Sequence, residues 1–318
     1  MLIECSSEGQ GHKLSTEILI FLGVFLVLNI VQGIFAGIIS SVYFFATKSI
    51  SALLSEEVNM SEDLGVNLEE FIMNSDAGTI LMLLSTFIVI IGTIIFCRFI
   101  EKRPLKTMGF RRKNLLRDYF LGLGVGIALF SAAVLLCIIT GTADFLGIAE
   151  GFSINIITLF FLGYVVQGMS EEVLCRGYFM ISCARKNSLW AAVIANSLIF
   201  ALLHLFNPGI GLMPIINLTL FGIFASIYMI KSGNIWGAAA IHSSWNFVQG
   251  NIFGIQVSGL GKQESIFSVA LTEGGSLING GGFGLEGGLA VTIVLVICIL
   301  VVLYYKNGMI NFRRRLNG

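Results

Sequence analysis

The chain has 318 residues, of which 56% are hydrophobic and only 12% charged, whereas about 25% of an average soluble domain is charged. With a mean hydropathy of +0.89, this composition excludes a disordered chain, a soluble globular enzyme and a coiled coil. The 19 basic and 19 acidic residues cancel, so no surface that follows the phosphates of a nucleic acid is expected. The class that remains is a polytopic membrane protein, and its long unbroken apolar runs favour helices over a barrel.

Seven stretches of the sequence contain no Asp, Glu, Lys or Arg, and a span needs about 20 apolar residues. In chain order they are 18–47, 77–97, 119–143, 151–170, 187–230, 232–261 and 287–305. The longest stretch is interrupted by Asn207-Pro208-Gly209 and is therefore interpreted as two helices. The predicted fold is an all-α, polytopic membrane helical bundle of about eight transmembrane helices.

The Lys and Arg residues separate sharply between the two sides of such a bundle. With eight spans and a cytoplasmic N-terminus, 17 of the 19 basic residues lie inside and two lie outside. Cytoplasmic loops are enriched in Lys and Arg, so both termini are predicted to be cytoplasmic. The loop 48–76 carries seven acidic residues and is predicted to be external, whereas the basic segment 106–117 is predicted to lie on the anionic inner leaflet.

These patterns divide the chain into two predicted regions. Residues 1–150 form an N-terminal three-helix membrane region with an acidic outer loop and a basic cytoplasmic loop, and residues 151–318 form a second membrane domain. In the latter, eight glycines between Gly274 and Gly288 predict tight turns that re-enter the membrane, because no GxxxxGK[ST] phosphate motif is present. The six cysteines form no CxxC pair, so neither a disulfide framework nor a cysteine zinc site is predicted.

Charged residues at bilayer depth are costly and mark functional sites by default, and several occur in the segment 167–176. The apolar pattern continues beyond this segment, so the fourth helix is predicted to extend to about Arg185 and to hold both glutamates in the membrane. Glu172 and Arg176 are four residues apart and can pair. Glu171 is rotated by about 100° around the helix, has no cation on that helix, and is suited to accept a proton from water.

Two of the three histidines also lie in predicted spans, His204 on the fifth helix and His242 on the seventh. Phe200 precedes His204 by four residues and Asn246 follows His242 by four, so each pair shares a helix face. At about 1.5 Å per residue, Glu171, His204 and His242 lie about 21, 25 and 15 Å from the inner surface. A shared site is therefore predicted, with His242 and Asn246 as neutral hydrogen-bond donors for developing negative charge.

At these residues the sequence resembles a known family. The run Glu171-Glu172-x-x-x-Arg176, then Phe200-x-x-x-His204, then His242-x-x-x-Asn246 resembles the three-part signature of the CAAX-protease and bacteriocin-processing family. Its members are also called CPBP or Abi intramembrane proteases, and the Ras-converting CAAX endopeptidase is among them. The resemblance covers roughly residues 155–250, and the flanking pieces 103–110 and 283–288 resemble bacterial members.

The resemblance implies an intramembrane endopeptidase whose catalytic cavity lies within the membrane, in the region 151–318. Glu171 and His204 would activate the water that attacks the scissile carbonyl. His242 and Asn246 would stabilise the oxyanion. Three further residues would organise the site or hold substrate: Glu172, Arg176 and Phe200.

The cofactor and the partners follow from the same resemblance. No cofactor is required, and the metal-free interpretation is favoured, although Glu171, His204 and His242 would suit a zinc site with an open position. The expected partners are the lipid bilayer and a peptide or lipidated protein substrate, with no nucleic acid, in a bacterial cell membrane. Two other classes stay open: a non-catalytic immunity or scaffold membrane protein, and a proton-coupled transporter that relays protons through buried Glu and His.

Overall fold

The computed structural model describes residues 11–54, 68, 71–72 and 74–304. Within these residues the chain is predominantly helical, and the predicted all-α bundle is confirmed. Its main helices, in chain order, are α1 Leu14–Leu54, α2 Asp76–Ile100, α3 Leu115–Ile139, α4 Ile154–Ala184, α5 Leu189–Leu202, α6 Leu212–Ser232, α7 Trp236–Phe247 and α8 Leu289–Tyr304.

The helices differ in length, and not all of the eight predicted spans are long enough to cross a membrane as one helix. Five segments of the described chain are long and apolar enough to cross a membrane: Leu14–Thr47 of α1, and the whole of α2, α3, α4 and α6. The apolar helices α5 and α8 are shorter, and α7 has 12 residues before it continues into a π-helical turn, Val248–Ile252. The eight helices nevertheless follow the order of the apolar runs in the sequence.

The outer faces of the bundle are apolar, as a membrane requires. Leu19 of α1 and Ile139 of α3 are about 70% exposed, whereas Glu172 and Arg176 are completely buried. Exposed apolar side chains around a polar interior are the arrangement of a protein whose solvent is lipid. The chain is therefore an integral membrane protein.

A small antiparallel sheet was not predicted from the sequence. The third apolar run suggested a helix as far as residue 143, but α3 ends at Ile139 and strand β1 follows at Ala143–Ile148. It pairs with β2, Phe267–Leu271, which is more than a hundred residues away in the chain. The remaining short elements are one α-helical turn, Ser276–Asn279, and the 3-10 turns Leu105–Met108, Glu273–Gly275, Gly281–Phe283 and Leu285–Gly287.

The break in the fifth apolar run falls at the predicted place but changes the setting of one histidine. Helix α5 ends at Leu202 and α6 begins at Leu212, on either side of Pro208. His204 therefore lies in the turn that follows α5 and not on the helix. Its backbone N–H donates to the carbonyl of Ala201. Proline cannot continue a helical hydrogen-bond ladder, and the residue before it is biased away from helical geometry, so the chain turns here.

Helix α7 is the central helix of the site-bearing part of the bundle. Its residues 237–246 are all buried, and it packs mainly between α3 and α4. The contact with α4 is close because Gly168 lies against Ser243: a Cβ at Gly168 would be 2.5 Å from Ser243 Oγ and 2.7 Å from its backbone nitrogen. Small residues let membrane helices approach in this way, and here the approach brings the α4 carboxylates beside α7.

Parts of two predicted features lie outside the described residues. Of the acidic loop, Asp76 is described as the first residue of α2. The others, Glu56, Glu57, Glu62, Asp63, Glu69 and Glu70, are outside the description, as are the basic C-terminal residues Lys306, Arg313, Arg314 and Arg315.

Candidate active site

The two glutamates lie at the point where α4 changes its hydrogen-bonding pattern. The α-helical part ends at Glu172, and Val173–Met180 is π-helical. Arg176, within the π-helical part, donates from Nη1 to Glu172 Oε1 at 2.9 Å, and both side chains are fully buried. The structure thus contains the ion pair that the spacing of four suggested, and π-helical segments occur frequently at functional sites.

His242 of α7 lies between the two carboxylates. Its Nδ1 is 2.9 Å from Glu172 Oε1, the oxygen that also accepts from Arg176. Its Nε2 is 3.6 Å from Glu171 Oε2. A carboxylate only accepts when ionised, so Nδ1 carries the proton that is donated to Glu172. The distance between Nε2 and Glu171 Oε2 is slightly longer than a hydrogen bond, so the two atoms are neighbours without being bonded.

Asn246 is connected to Glu171 through a residue that the sequence analysis did not select. Asn246 Nδ2 donates to Gln167 Oε1 at 3.0 Å, and Gln167 Nε2 donates to Glu171 Oε1. Gln167 therefore fixes one oxygen of Glu171, while Glu171 Oε2 is buried and has no hydrogen-bond partner among the described residues. The signal was present in the sequence, because Gln167 precedes Glu171 by four residues and so shares its helix face.

The turn after α5 fixes the tautomer of the second histidine. His204 Nδ1 is 2.8 Å from the carbonyl oxygen of Phe200. Because a carbonyl only accepts, Nδ1 carries the hydrogen, and Nε2 of a neutral ring is left as an acceptor. His204 is thereby prepared to take a proton, which is the role that water activation requires.

Phe200 organises the charged groups through its ring. The guanidinium carbon of Arg176 lies 4.4 Å from the ring centroid, within the range of a cation–π contact. On its other sides, the same ring lies 5.0 Å from the ring of His204 and 5.9 Å from that of His242. The spacing of four between Phe200 and His204 thus produces the contact that it suggested.

One cavity of about 290 Å³ brings the predicted reacting groups together. Its lining includes Glu171, His204, His242 and Asn246, together with side chains from α1, α2 and α6. Glu172 and Arg176 do not line it and lie behind its wall. The structure therefore separates four side chains that face the cavity from an ion pair that supports them.

Glu171, His204 and His242 are the three side chains that a zinc ion would need as ligands. In the ranges that the structure describes, no three His, Cys, Asp or Glu side chains are placed to hold one ion. Glu171 and His242 are near each other, but His204 does not complete a set with them.

A bundle of membrane helices that encloses a buried Glu, two His and an Asn defines a class: polytopic membrane proteins with an ionisable site inside the bundle. The particular family follows from comparison with known proteins. Residues 153–248, from the start of α4 to just beyond α7, match the family model described as type II CAAX prenyl endopeptidase Rce1-like. This match supports the similarity to the CAAX-protease family of intramembrane proteases that the motifs suggested.

At a coarse level, this match supports an intramembrane endopeptidase. No curated protein and no solved structure matches the chain. The matched segment contains the cavity-lining Glu171, His204, His242 and Asn246.

Proposed function

We propose that the protein hydrolyses a peptide bond of a membrane-associated peptide or lipidated protein, with Glu171 and His204 activating the attacking water. The observation that carries this proposal is the state of Glu171. One oxygen is held by Gln167, while the other faces His242 at 3.6 Å and has no hydrogen-bond partner in the described part of the chain. An oriented carboxylate with a free lone pair in a cavity is the group that general-base catalysis needs.

The proposed hydrolysis needs only water and the residues of the cavity to transfer its protons. Water gives a proton to the Glu171 carboxylate while its oxygen bonds to the scissile carbonyl carbon, and the carbonyl oxygen becomes the oxyanion. The proton then passes to the leaving amine as the C–N bond breaks. His204 Nε2, which is an acceptor in the neutral ring, assists in orienting the water.

The oxyanion would be stabilised from α7. Asn246 has two hydrogens on Nδ2, of which one is used by Gln167, so the other is free to donate to the oxyanion. His242 commits its Nδ1 hydrogen to Glu172. Its Nε2 therefore donates to an oxyanion only when the ring carries both protons.

We infer that this reaction uses no metal. The support is the ligand geometry: among the described residues, His204 does not join Glu171 and His242 in a three-ligand set. The residues of the cavity can accept each reacting proton without the help of a metal.

We also infer that both termini face the cytoplasm, on the strength of the 17-to-2 division of Lys and Arg. Reporter fusions to the C-terminus test this orientation. An externally active reporter at the C-terminus would contradict it.

The hydrolysis is tested with purified protein in liposomes and a quenched peptide that carries an isoprenylated cysteine followed by three residues. We expect the wild-type protein to release fluorescence, with mass spectrometry showing one internal bond cleaved, and Glu171→Ala to be inactive. The matched control is Glu150→Ala, because Glu150 is an exposed glutamate outside the cavity.

Cleavage by Glu171→Ala at the wild-type rate would contradict the proposed role of Glu171. No cleavage by the wild-type protein, with this peptide and with an unlipidated library, would favour the immunity or scaffold alternative.

A further inference from the structure

The cavity contains a second carboxylate that the proposed reaction does not use. Glu286 lies in the glycine-rich segment before α8, is 7% exposed, and lines the same cavity as Glu171. We propose that Glu286 is a positioning residue, which fixes the turn carrying His204 against the helix carrying His242 and Asn246. The proposal rests on the proposed function for its catalytic meaning.

One oxygen of Glu286 holds α7. Trp245 Nε1 donates to Glu286 Oε1 at 3.1 Å, and Trp245 is the residue directly before Asn246. The Trp245 ring lies 5.6 Å from that of Phe221, which in turn lies 5.0 Å from the His242 ring. The position of the indole is therefore linked to both polar residues of α7 that face the cavity.

The other oxygen holds the turn after α5, through Ser258. Glu286 Oε2 accepts from the backbone nitrogen of Ser258 at 2.9 Å and from its Oγ at 2.8 Å. The Ser258 carbonyl accepts from Asn207 Nδ2 at 2.9 Å, and the Asn207 N–H donates to the carbonyl of His204 at 3.0 Å. Two residues, Ser258 and Asn207, thus connect the Glu286 carboxylate to the backbone of His204.

The backbone of Ser258 adopts a conformation that a non-glycine residue would not favour on its own. Its φ is +49°, in the left-handed region that non-glycine residues rarely adopt. Such a conformation persists when its surroundings determine it, and here two hydrogen bonds to Glu286 and one from Asn207 do so.

Gly259, the residue after Ser258, permits the close packing that this arrangement needs. A Cβ at Gly259, whose φ is +79°, would collide with the carbonyl of Pro208 in the His204 turn. Gly259 also donates its N–H to the carbonyl of Phe283 at 3.0 Å. The turn, the segment around Ser258 and the glycine-rich segment therefore form one contiguous support beneath the cavity.

This network needs a side chain whose two terminal atoms both accept hydrogen bonds, as the carboxylate oxygens of Glu286 do. Glu286 receives three donors and makes no ion pair among the described residues, so its charge depends on these hydrogen bonds. In Glu286→Gln, the amide group places hydrogens against either Trp245 or Ser258. One of the two connections is then broken while the side-chain volume is kept.

The experiment compares Glu286→Gln with a matched control, Asn217→Ala. Asn217 Nδ2 donates to the backbone carbonyls of Glu286 at 2.8 Å and Gly288 at 2.9 Å, and Asn217 does not line the cavity. The control loosens the same segment through its backbone and leaves the carboxylate in place. Both proteins are full-length and reconstituted, and their melting temperatures are recorded.

In the liposome assay with the isoprenylated peptide, we expect Glu286→Gln to lower kcat by about 10- to 100-fold with little change in KM, as small misplacements of reacting groups do. Asn217→Ala should lower the melting temperature at least as much and keep kcat near the wild-type value. Equal losses of kcat in the two variants, in proportion to lost stability, would overturn the proposal.

A second readout does not depend on activity. The chain has three histidines, so ¹⁵N-histidine labelling gives three pairs of ring-nitrogen signals, which His→Gln variants assign. Glu286→Gln should shift the signals of both His204 and His242 and leave that of His12 unchanged, whereas Asn217→Ala should leave all three in place. Unchanged His204 and His242 signals in Glu286→Gln would overturn the proposal, even if the wild-type protein cleaved no peptide and the proposed function had failed.

If Glu286→Gln does not fold, Trp245→Phe replaces it. This change removes the one indole donor to Glu286 and keeps an aromatic ring between Phe221 and Phe130. The His242 signal should shift and kcat should fall in the same direction. A wild-type spectrum and rate in Trp245→Phe would overturn the connection through α7.

Discussion

His242 Nδ1 lies 2.9 Å from Glu172 Oε1, and that same oxygen accepts from Arg176. Glu172 therefore has two tasks: it neutralises a buried guanidinium and it fixes the ring of a cavity-lining histidine. From its position on one helix face with Asn246, His242 is predicted to be a neutral donor. With Nδ1 bound to Glu172, the ring donates into the cavity from Nε2 only when it holds both protons.

The double role of Glu172 predicts a loss of stability when its charge is removed. In Glu172→Gln, Arg176 is left as an uncompensated buried charge, and breaking such a pair costs about 3–5 kcal/mol. We expect a lower melting temperature in detergent and lower expression, together with reduced cleavage. The control is Glu150→Gln, which makes the same chemical change at an exposed position and should leave both quantities unchanged.

Asn246→Ala should impair catalysis without unfolding the protein. Loss of one oxyanion donor costs about 10²- to 10³-fold in kcat. Asn246 is on the buried face of α7, but its only side-chain hydrogen bond among the described residues is to Gln167, so the helix packing should persist. The measurement is kcat beside the melting temperature, and an unchanged kcat would remove Asn246 from the oxyanion site.

The close approach of α4 and α7 depends on Gly168. In Gly168→Ala, the new Cβ would meet Ser243 Oγ and its backbone nitrogen at 2.5 and 2.7 Å, so the two helices must separate. We expect a lower melting temperature and reduced cleavage, because the separation moves His242 away from Glu171.

Gly124→Ala is the control for this substitution, since a Cβ at Gly124 of α3 meets nothing within 4 Å. Alanine is favoured over glycine in a helix by up to about 1 kcal/mol, so this variant should be as stable as the wild type or more so. Equal destabilisation by both substitutions would show that the contact with Ser243 is not the cause.

The metal-free mechanism predicts that purified active protein contains no stoichiometric transition metal. Elemental analysis by mass spectrometry should find well under one zinc per chain, and 1,10-phenanthroline should leave cleavage unchanged. One zinc per chain that is lost in Glu171→Ala and His242→Ala would instead support the three-ligand alternative.

How much of the site was predictable depended on how far apart its partners are in the sequence. The Glu172–Arg176 pair has a spacing of four, which helix geometry converts directly into proximity. The Phe200–His204 contact has the same spacing, although His204 lies in the turn that follows α5. The meeting of Glu171, His204 and His242 in one cavity was inferred from their depths in the membrane, and the structure places all three there.

The features that sequence reasoning missed depend on long-range packing. The bond from Asn246 to Gln167 spans 79 residues, and the pairing of β1 with β2 spans more than a hundred, so no local pattern indicates either. Glu286 appeared only as part of a glycine-rich segment, because its partners Trp245 and Ser258 become visible when the segment is packed beneath the cavity. The π-helical change after Glu172 likewise has no periodicity that marks it in advance.

The central claim is that Glu171 is the base while Glu172 is structural, and the most direct test measures both glutamine variants side by side for cleavage rate and melting temperature. Glu171→Gln should keep the wild-type melting temperature and lose about 10²- to 10⁴-fold in kcat, the usual contribution of a general base. Glu172→Gln should lose stability as well as activity. Full activity of Glu171→Gln, or equal destabilisation by the two variants, would contradict this division of roles.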